Sequence, residues 1–264
     1  MESSVTDDRP GPGVRVERSG RTATIRLDNP GKRNAFDPLM LQALAQSAAA
    51  LAADDAVAVV VLRGAGGRAF SAGADFDAFA ADSQAAFGIR FNAMENNLDQ
   101  AVAALATLPQ PLVAAIEGAC FGGAVQLALC ADIRIANESM RLAIPAGSIG
   151  IVYPLDAIER LIALAGPGVA KLVLMSGRPL PAAECLRSGL VEATAPDDQF
   201  EAALGELCTQ LTKSSKAAVR AYKQIVDCFI RDGDRAASEV LQDTVNASAD
   251  TWSRISAVIE GRKK

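Results

Sequence analysis

The chain of 264 residues contains no histidine. That absence removes the base of any Ser-His-Asp or Cys-His arrangement and the commonest neutral metal ligand. Proton transfer must fall to Asp, Glu, Tyr, Lys, Cys or water. Paired cysteine motifs are missing as well. Cys120, Cys130, Cys185, Cys208 and Cys228 form no Cys-x-x-Cys pair, so no zinc site, no other metal and no disulfide framework is expected. Reduced, mostly buried thiols in a cytoplasmic protein are the simple reading. There is no surplus of positive charge: 26 Lys and Arg stand against 31 Asp and Glu, so no nucleic-acid partner is expected. The first 13 residues, polar and acidic with two prolines, lack the basic and apolar regions of a signal peptide and read as a frayed tail. The apolar stretch 101–131 is interrupted by Pro109, Gln110, Pro111, Glu117 and several glycines, which argues against a membrane span. No fixed-period repeat is present.

Half of the residues are hydrophobic, enough for one large domain or one domain with an appendage. Val14–Ser19 and Thr22–Leu27 alternate apolar with polar around Gly20-Arg21 and predict a hairpin. Asp37-Pro38 starts a helix over Leu39–Ala53, and Val57–Leu62 is an apolar run of the fully buried strand type. Residues 83–106 predict an amphipathic helix with Phe87, Phe91, Met94 and Leu98 on one side. Pro111–Ile116 reads as a buried strand, Ala124–Ala131 as a helix, and Ile133–Ala136 and Arg141–Ile144 as short strands. After Gly150 the pattern turns helical, over Leu155–Ala165, Val169–Met175, Ala182–Ser188, Gln199–Thr212, Lys216–Ile230, Arg235–Ala249 and Thr251–Gly261. Strand–helix alternation followed by helices is an α/β pattern.

Two glycine-rich turns carry the chemistry. One, Glu117-Gly-Ala-Cys-Phe-Gly-Gly123, joins a strand to a helix. Glycines there let the backbone approach a ligand, and the first helical N–H groups have no internal partner. Such a turn can hold an anion or an oxygen that becomes anionic, or it can simply pack helix on strand. The other runs from Gly64 to Asp75. Gly64-x-Gly66-x-x-Ala69 loosely fits a dinucleotide fingerprint but opens no helix and precedes no acid-tipped strand. Ala69-x-Ser71-x-Gly73 suggests a nucleophile elbow, for which the histidine is lacking. In a third reading, Ala72-Gly73-Ala74 and Gly122-Gly123 each leave an N–H free, and the two converge on one oxygen.

Arg68-Ala-Phe-Ser-Ala-Gly-Ala-Asp75 and Glu117-Gly-Ala-Cys-Phe-Gly-Gly-Ala-Val-Gln-Leu-Ala-Leu-Cys-Ala-Asp132 resemble the two signatures of the crotonase (enoyl-CoA hydratase/isomerase) superfamily. Asn29-Pro30…Arg33-Asn34-Ala35, Gly177-Arg-Pro-Leu…Ala182–Val191 and Glu260-Gly-Arg-Lys263 also match, so the resemblance covers residues 14–263. It implies a spiral of ββα units with the acyl-CoA site over residues 14–200, and a C-terminal helical trimerisation region over 201–264. A homotrimer or a dimer of trimers follows from it, as does an acyl-CoA thioester substrate, with coenzyme A part of the substrate rather than a separate cofactor. By position, the N–H groups of Ala74 and Gly123 would form the oxyanion hole. Ala35, Ala72, Asp75, Phe76, Gly122 and Ala146 would contact substrate. Lys32, Arg33 and Lys263 would meet phosphates, or else are solvated surface charges.

The resemblance fails at the acid–base residues. The hydratases' two glutamates fall at Gln126 and Ala146 here, so two-glutamate hydration is expected to be weak. Tyr153 stands where the family's methylmalonyl-CoA decarboxylase carries a catalytic tyrosine. It would orient a carboxylate or a proton, or merely pack beside the acyl chain. Asp156 could be a displaced acid; Asp77, Glu95 and Asp99 are weaker candidates. Three functions follow. The first is an acyl-CoA enzyme with a non-standard reaction, a lyase or isomerase using Gln126, water and Asp156. The second is a decarboxylase of malonyl-type thioesters using Tyr153. The third is a non-catalytic acyl-CoA binder.

Overall fold

The computed structural model describes residues 13–231 and 233–261. Residues 1–12 and Lys263 therefore lie outside the described residues. Strands β1 (Gly13–Ser19) and β2 (Thr22–Asp28) pair antiparallel, with Ser19 opposite Thr22 across the Gly20-Arg21 turn. Period-two alternation in β2 buries Ala23, Ile25 and Leu27. Helix α1 (Pro38–Ala52) opens on Asp37, whose carboxylate accepts the N–H of Met40 at 2.8 Å. A cap of this kind satisfies a donor that the first turn leaves unpaired.

Three strand–strand–helix units follow. They comprise β3 (Val59–Gly64), β4 (Ala69–Ser71) and α2 (Gln84–Ala106); β5 (Leu112–Ile116), β6 (Ala119–Phe121) and α3 (Gly123–Leu129); and β7 (Ile133–Asn137), β8 (Arg141–Ala143) and α4 (Leu155–Ser176). Strand β9 (Leu180–Pro181), helix α5 (Ala182–Ser188) and strand β10 (Ala193–Ala195) complete the sheets. The first strand of each unit joins a six-stranded sheet of order β1-β2-β3-β5-β7-β10, and the second joins a four-stranded sheet of order β4-β6-β8-β9. All pairings are parallel except β1 with β2 and β8 with β9. This is the expected α/β spiral of ββα units. Each unit turns a corner between two sheets, which is why a strand ends and a helix begins at the same edge every time.

Helices α6 (Phe200–Lys213), α7 (Lys216–Arg231), α8 (Arg235–Asn246) and α9 (Ala249–Gly261) end the described chain. Phe200, Leu204 and Cys208 of α6 cover one face of the large sheet, against Val59, Val61, Val113 and Ala115. Val60 and Leu62 face the other way, into the main core with α1 and α2. Burial on both faces explains the unbroken apolar run in β3. Tyr222, Phe229, Val240, Trp252 and Ile255 on α7–α9 are exposed.

The helical reading of the last third needs correction, because β9 and β10 return from it to the two sheets. Short strands β4 and β6 also lie inside stretches read as plain loops. Segments of two or three residues carry no measurable periodicity, and they are strands only because neighbours pair with them, as Cys120 does with Leu142. The two helices expected on either side of Gly166-Pro167 run on as α4, broken where Gly166 takes φ +75°.

Gly118 makes the corner between β5 and β6 at φ +57°, and a Cβ there would lie 2.1 Å from the Arg68 carbonyl oxygen. Gly118→Ala is therefore expected to cost about 2–4 kcal/mol, from steric displacement and a disfavoured φ. A urea titration checks this; an unchanged midpoint would contradict it.

Candidate active site

The first glycine loop is held rigid by buried polar groups. Asn34, 1% exposed, donates through Nδ2 to the carbonyls of Ala65 (3.0 Å) and Ala69 (2.8 Å) and accepts the Asn29 N–H at 3.0 Å. The Ser71 hydroxyl donates to the Asn34 carbonyl at 2.7 Å and accepts the Gly73 N–H at 3.0 Å. Ala72 N–H donates to Arg33 O, Phe36 N–H to Gly73 O and Asp75 N–H to Phe36 O, at 2.8–2.9 Å. Residue 74 bridges Phe36 in parallel fashion, so its own N–H points to the opposite side. No hydrogen bond among the described residues occupies the N–H of Ala74.

The second loop ends in an unusual turn. Gly122 takes φ +54° and ψ −126°, which only glycine adopts readily. Its N–H donates to Ala143 O at 2.9 Å, and its carbonyl accepts the Val125 N–H at 3.0 Å. Gly123 is the first residue of α3, so its N–H has no acceptor within the helix. Phe36 and Leu98 press on Gly123, leaving a Cβ only 3.0 and 2.9 Å from their side-chain carbons.

The two loops meet. Gly73 takes φ +92°, and a Cβ placed on it would lie 2.6 Å from Phe121 O and 3.3 Å from the nitrogen of Gly123. Gly73 therefore lies against the backbone of Phe121 and Gly123, although about fifty residues separate them. The free N–H of Ala74 lies one residue from the contact.

Beside this junction is a cavity of about 500 Å³ lined by Phe76, Phe79, Phe87, Phe91 and residues 149–152. None of these carries charge. Phe79 lies 5.8–6.2 Å from the rings of Phe76, Phe87 and Phe91, and the Phe87 and Phe91 rings stack at 5.9 Å. On α2 the stripe Phe91, Glu95, Leu98 runs from this cavity to Gly123, because positions four and three apart share a helix face. Glu95 lies on it half-buried; burial, with Asp99 behind it, raises its carboxyl above the ordinary range. Asp99 is raised too, by desolvation and then by the charge of Asp156. Asp156 itself is exposed in the first turn of α4.

The remaining expected site residues are distributed as follows. Gln126 is buried on α3, one turn beyond Gly123. Ala146 is half-buried in a 3-10 turn after β8. Tyr153 is buried, and its hydroxyl donates to the carbonyl of Gly122 at 2.9 Å. Its phenol is pushed well above the usual tyrosine range by burial. Ala35 is buried and its carbonyl accepts from Asn29 Nδ2 at 2.8 Å, while half-buried Ala72 donates its N–H to Arg33 O at 2.9 Å. Phe76 is 65% exposed at the cavity mouth. The Arg33 side chain is exposed, and Lys32 is bonded to Asp75 (2.7 Å) and Asp77 (2.6 Å), whose carboxylates raise its pKa.

A close approach of two glycine loops that leave backbone N–H groups unpaired, in an α/β spiral of ββα units, is the frame on which the comparisons bear. The family model described as enoyl-CoA hydratase/isomerase matches residues 17–259, and the chain belongs to that family. It is 31% identical over 210 residues to the 2,3-dehydroadipyl-CoA hydratase of Escherichia coli K12, covering 79% of each chain. Against the carnitinyl-CoA dehydratase of Salmonella arizonae it is 32% identical over 230 residues, 84% of each. The solved enoyl-CoA hydratase of Bacillus anthracis superposes with a TM-score of 0.87 at 26% identity, covering 94% of this chain and 96% of that one.

Asn34 and Ser71, which brace the first loop, were not among the site residues expected from sequence. Their signal was a polar residue flanked by buried apolar ones, visible only once burial is known. Because nothing larger than hydrogen fits at position 73, Gly73→Ala is expected to part the loops and lower any turnover by about 10²–10³, the value of one backbone donor. Steady-state kinetics on the folded variant tests this, and near-normal turnover would contradict it.

Proposed function

We propose that this protein is an acyl-CoA enzyme that forms a thioester enolate and moves a double bond along an apolar acyl chain. The observation that carries the reading is the approach of Gly73 to the Gly123 nitrogen, which lets the N–H groups of Ala74 and Gly123 serve one thioester oxygen. The acyl chain enters the phenylalanine-lined cavity. The coenzyme A portion passes the backbone of Ala35, Ala72 and Asp75. Lys32, released from its two carboxylates, meets the phosphates with Arg33 and Lys263.

Hydration needs one group to activate water and another to protonate carbon, and Gln126 and Ala146 supply neither. Isomerisation needs a single carboxylate. Glu95, on the helix stripe between cavity and Gly123, takes a proton from C2 of a 3-enoyl thioester. The electron pair shifts toward the thioester oxygen, which becomes negative between the two amides. Glu95 then returns the proton to C4, leaving the 2-enoyl product with no net change in composition. Its raised carboxyl suits this exchange, since a base nearer neutrality both takes and gives a proton readily. Decarboxylation draws less support: no lining residue of the cavity could pair with a substrate carboxylate, and the Tyr153 hydroxyl is spent on Gly122. The apolar exposed faces of α7–α9 support a homotrimer or a dimer of trimers, which sedimentation measures directly.

A panel of 3-enoyl-, crotonyl- and methylmalonyl-CoA tests the reading. The 3-enoyl thioester is expected to turn over fastest, and Glu95→Gln to slow it by about 10²–10⁴. Because the base form is required, the rate should climb with pH through a carboxyl group titrating above the ordinary glutamate value. Rapid crotonyl-CoA hydration, CO₂ release, or full activity of Glu95→Gln would overturn it.

A further inference from the structure

Tyr153 reaches across 31 residues of sequence to donate its hydroxyl to the carbonyl of Gly122 at 2.9 Å. That carbonyl and the N–H of Gly123 belong to one peptide plane, so whatever fixes the oxygen also fixes the hydrogen on the opposite side. We infer that Tyr153 is a positioning residue, whose hydroxyl locks and polarises the Gly122–Gly123 peptide so that the Gly123 N–H is aimed at the substrate oxygen. The inference rests on the proposed use of that N–H as an oxyanion donor.

The plane needs a lock. It is flanked on both sides by glycine, so no side chain of its own resists a flip about ψ of residue 122 and φ of residue 123. Gly122 already sits at φ +54°, ψ −126°, where neighbouring turn conformers differ mainly in the orientation of this peptide. A flip would swing the N–H away from the Ala74 side and present a carbonyl lone pair to a developing oxyanion. Two bonds oppose it, from Val125 N–H within the helix turn and from Tyr153 outside it. Only the second comes from a separate element, the Gly150–Pro154 segment, and its ring is 6% exposed, packed in the main core. A buried hydroxyl cannot exchange its acceptor for water without leaving an unpaired group, which makes the bond hard to lose.

The same bond strengthens the donor. A carbonyl that accepts hydrogen bonds draws electrons through the amide and leaves its N–H more positive, a cooperative gain of about 10–30% per bond. Gly122 O accepts two, so both lone pairs pull in this direction. Tyr153 thereby acts on the thioester without touching it, and only the phenol can do so: phenylalanine would fill the same space and leave the carbonyl one partner short.

The test reads the thioester carbonyl stretch of bound hexanoyl-CoA labelled with ¹³C at C1, a saturated probe that cannot isomerise or add water. In the wild type the band is expected to move to lower frequency on binding. In Tyr153→Phe the displacement should shrink while the dissociation constant stays nearly unchanged, and kcat on 3-enoyl-CoA should fall about 10-fold with little change in KM. The chain has only two tyrosines, Tyr153 and the exposed Tyr222 on α7, so a Tyr222→Phe background grown on 3-fluorotyrosine changes the phenol at one site. The more acidic fluorophenol should deepen the displacement, which mere packing would not do, and this arm stands even if Tyr153→Phe fails to fold. No displacement in the wild type would defeat the oxyanion reading itself. A wild-type displacement that is the same in Tyr153→Phe and in the fluorotyrosine protein would overturn the role assigned to Tyr153.

Discussion

The contact on which the rest depends is between two stretches of main chain, where Gly73 lies against Phe121 O and the nitrogen of Gly123. Backbones rarely approach so closely, because a Cβ on either side forbids it. Here the large sheet delivers β3 and β5 side by side, the small sheet delivers β4 and β6 side by side, and the loops leaving β4 and β6 are forced together. The junction is a consequence of the spiral: each unit repeats the same corner, so adjacent units bring equivalent turns into register.

Around that junction, polar groups are spent on geometry and apolar groups on exclusion of water. Asn34 and Ser71 satisfy five backbone partners of the first loop between them, and Tyr153 serves the second. Phe36 and Leu98 press on Gly123 from the core, while four phenylalanines wall the neighbouring cavity. Donors held in a dry, low-dielectric setting are worth far more to a developing charge than the same donors in water, and they need no reorganisation when the charge appears. The proposed chemistry asks for little beyond this, a single carboxylate with its affinity for protons raised by burial.

Much of the frame was legible in the residues. The hairpin, α1, β3, α2 and β5 follow from periodicity and capping, and Asp37 caps α1 where Asp-Pro predicted a start. The two glycine loops were recognisable as a pair, and the aromatic stripe of α2 was visible as Phe87 and Phe91. The strands β4, β6, β9 and β10 were not, because two or three residues take their conformation from partners rather than from their own pattern. The direction of the Tyr153 hydroxyl was equally hidden. An aromatic beside a site looks the same in sequence whether it faces substrate or main chain, and only the fold shows the phenol turned to Gly122. Conversely, Glu95 looked like one helix charge among several until Phe91 and Leu98 fixed which face it occupies.

The most direct test of the central claim is a crystal structure with hexanoyl-CoA bound. The account predicts the thioester oxygen about 2.7–3.1 Å from the nitrogens of both Ala74 and Gly123, with the acyl chain among Phe76, Phe79, Phe87 and Phe91. A thioester bound elsewhere, or with its oxygen turned to solvent and neither amide engaged, would contradict it.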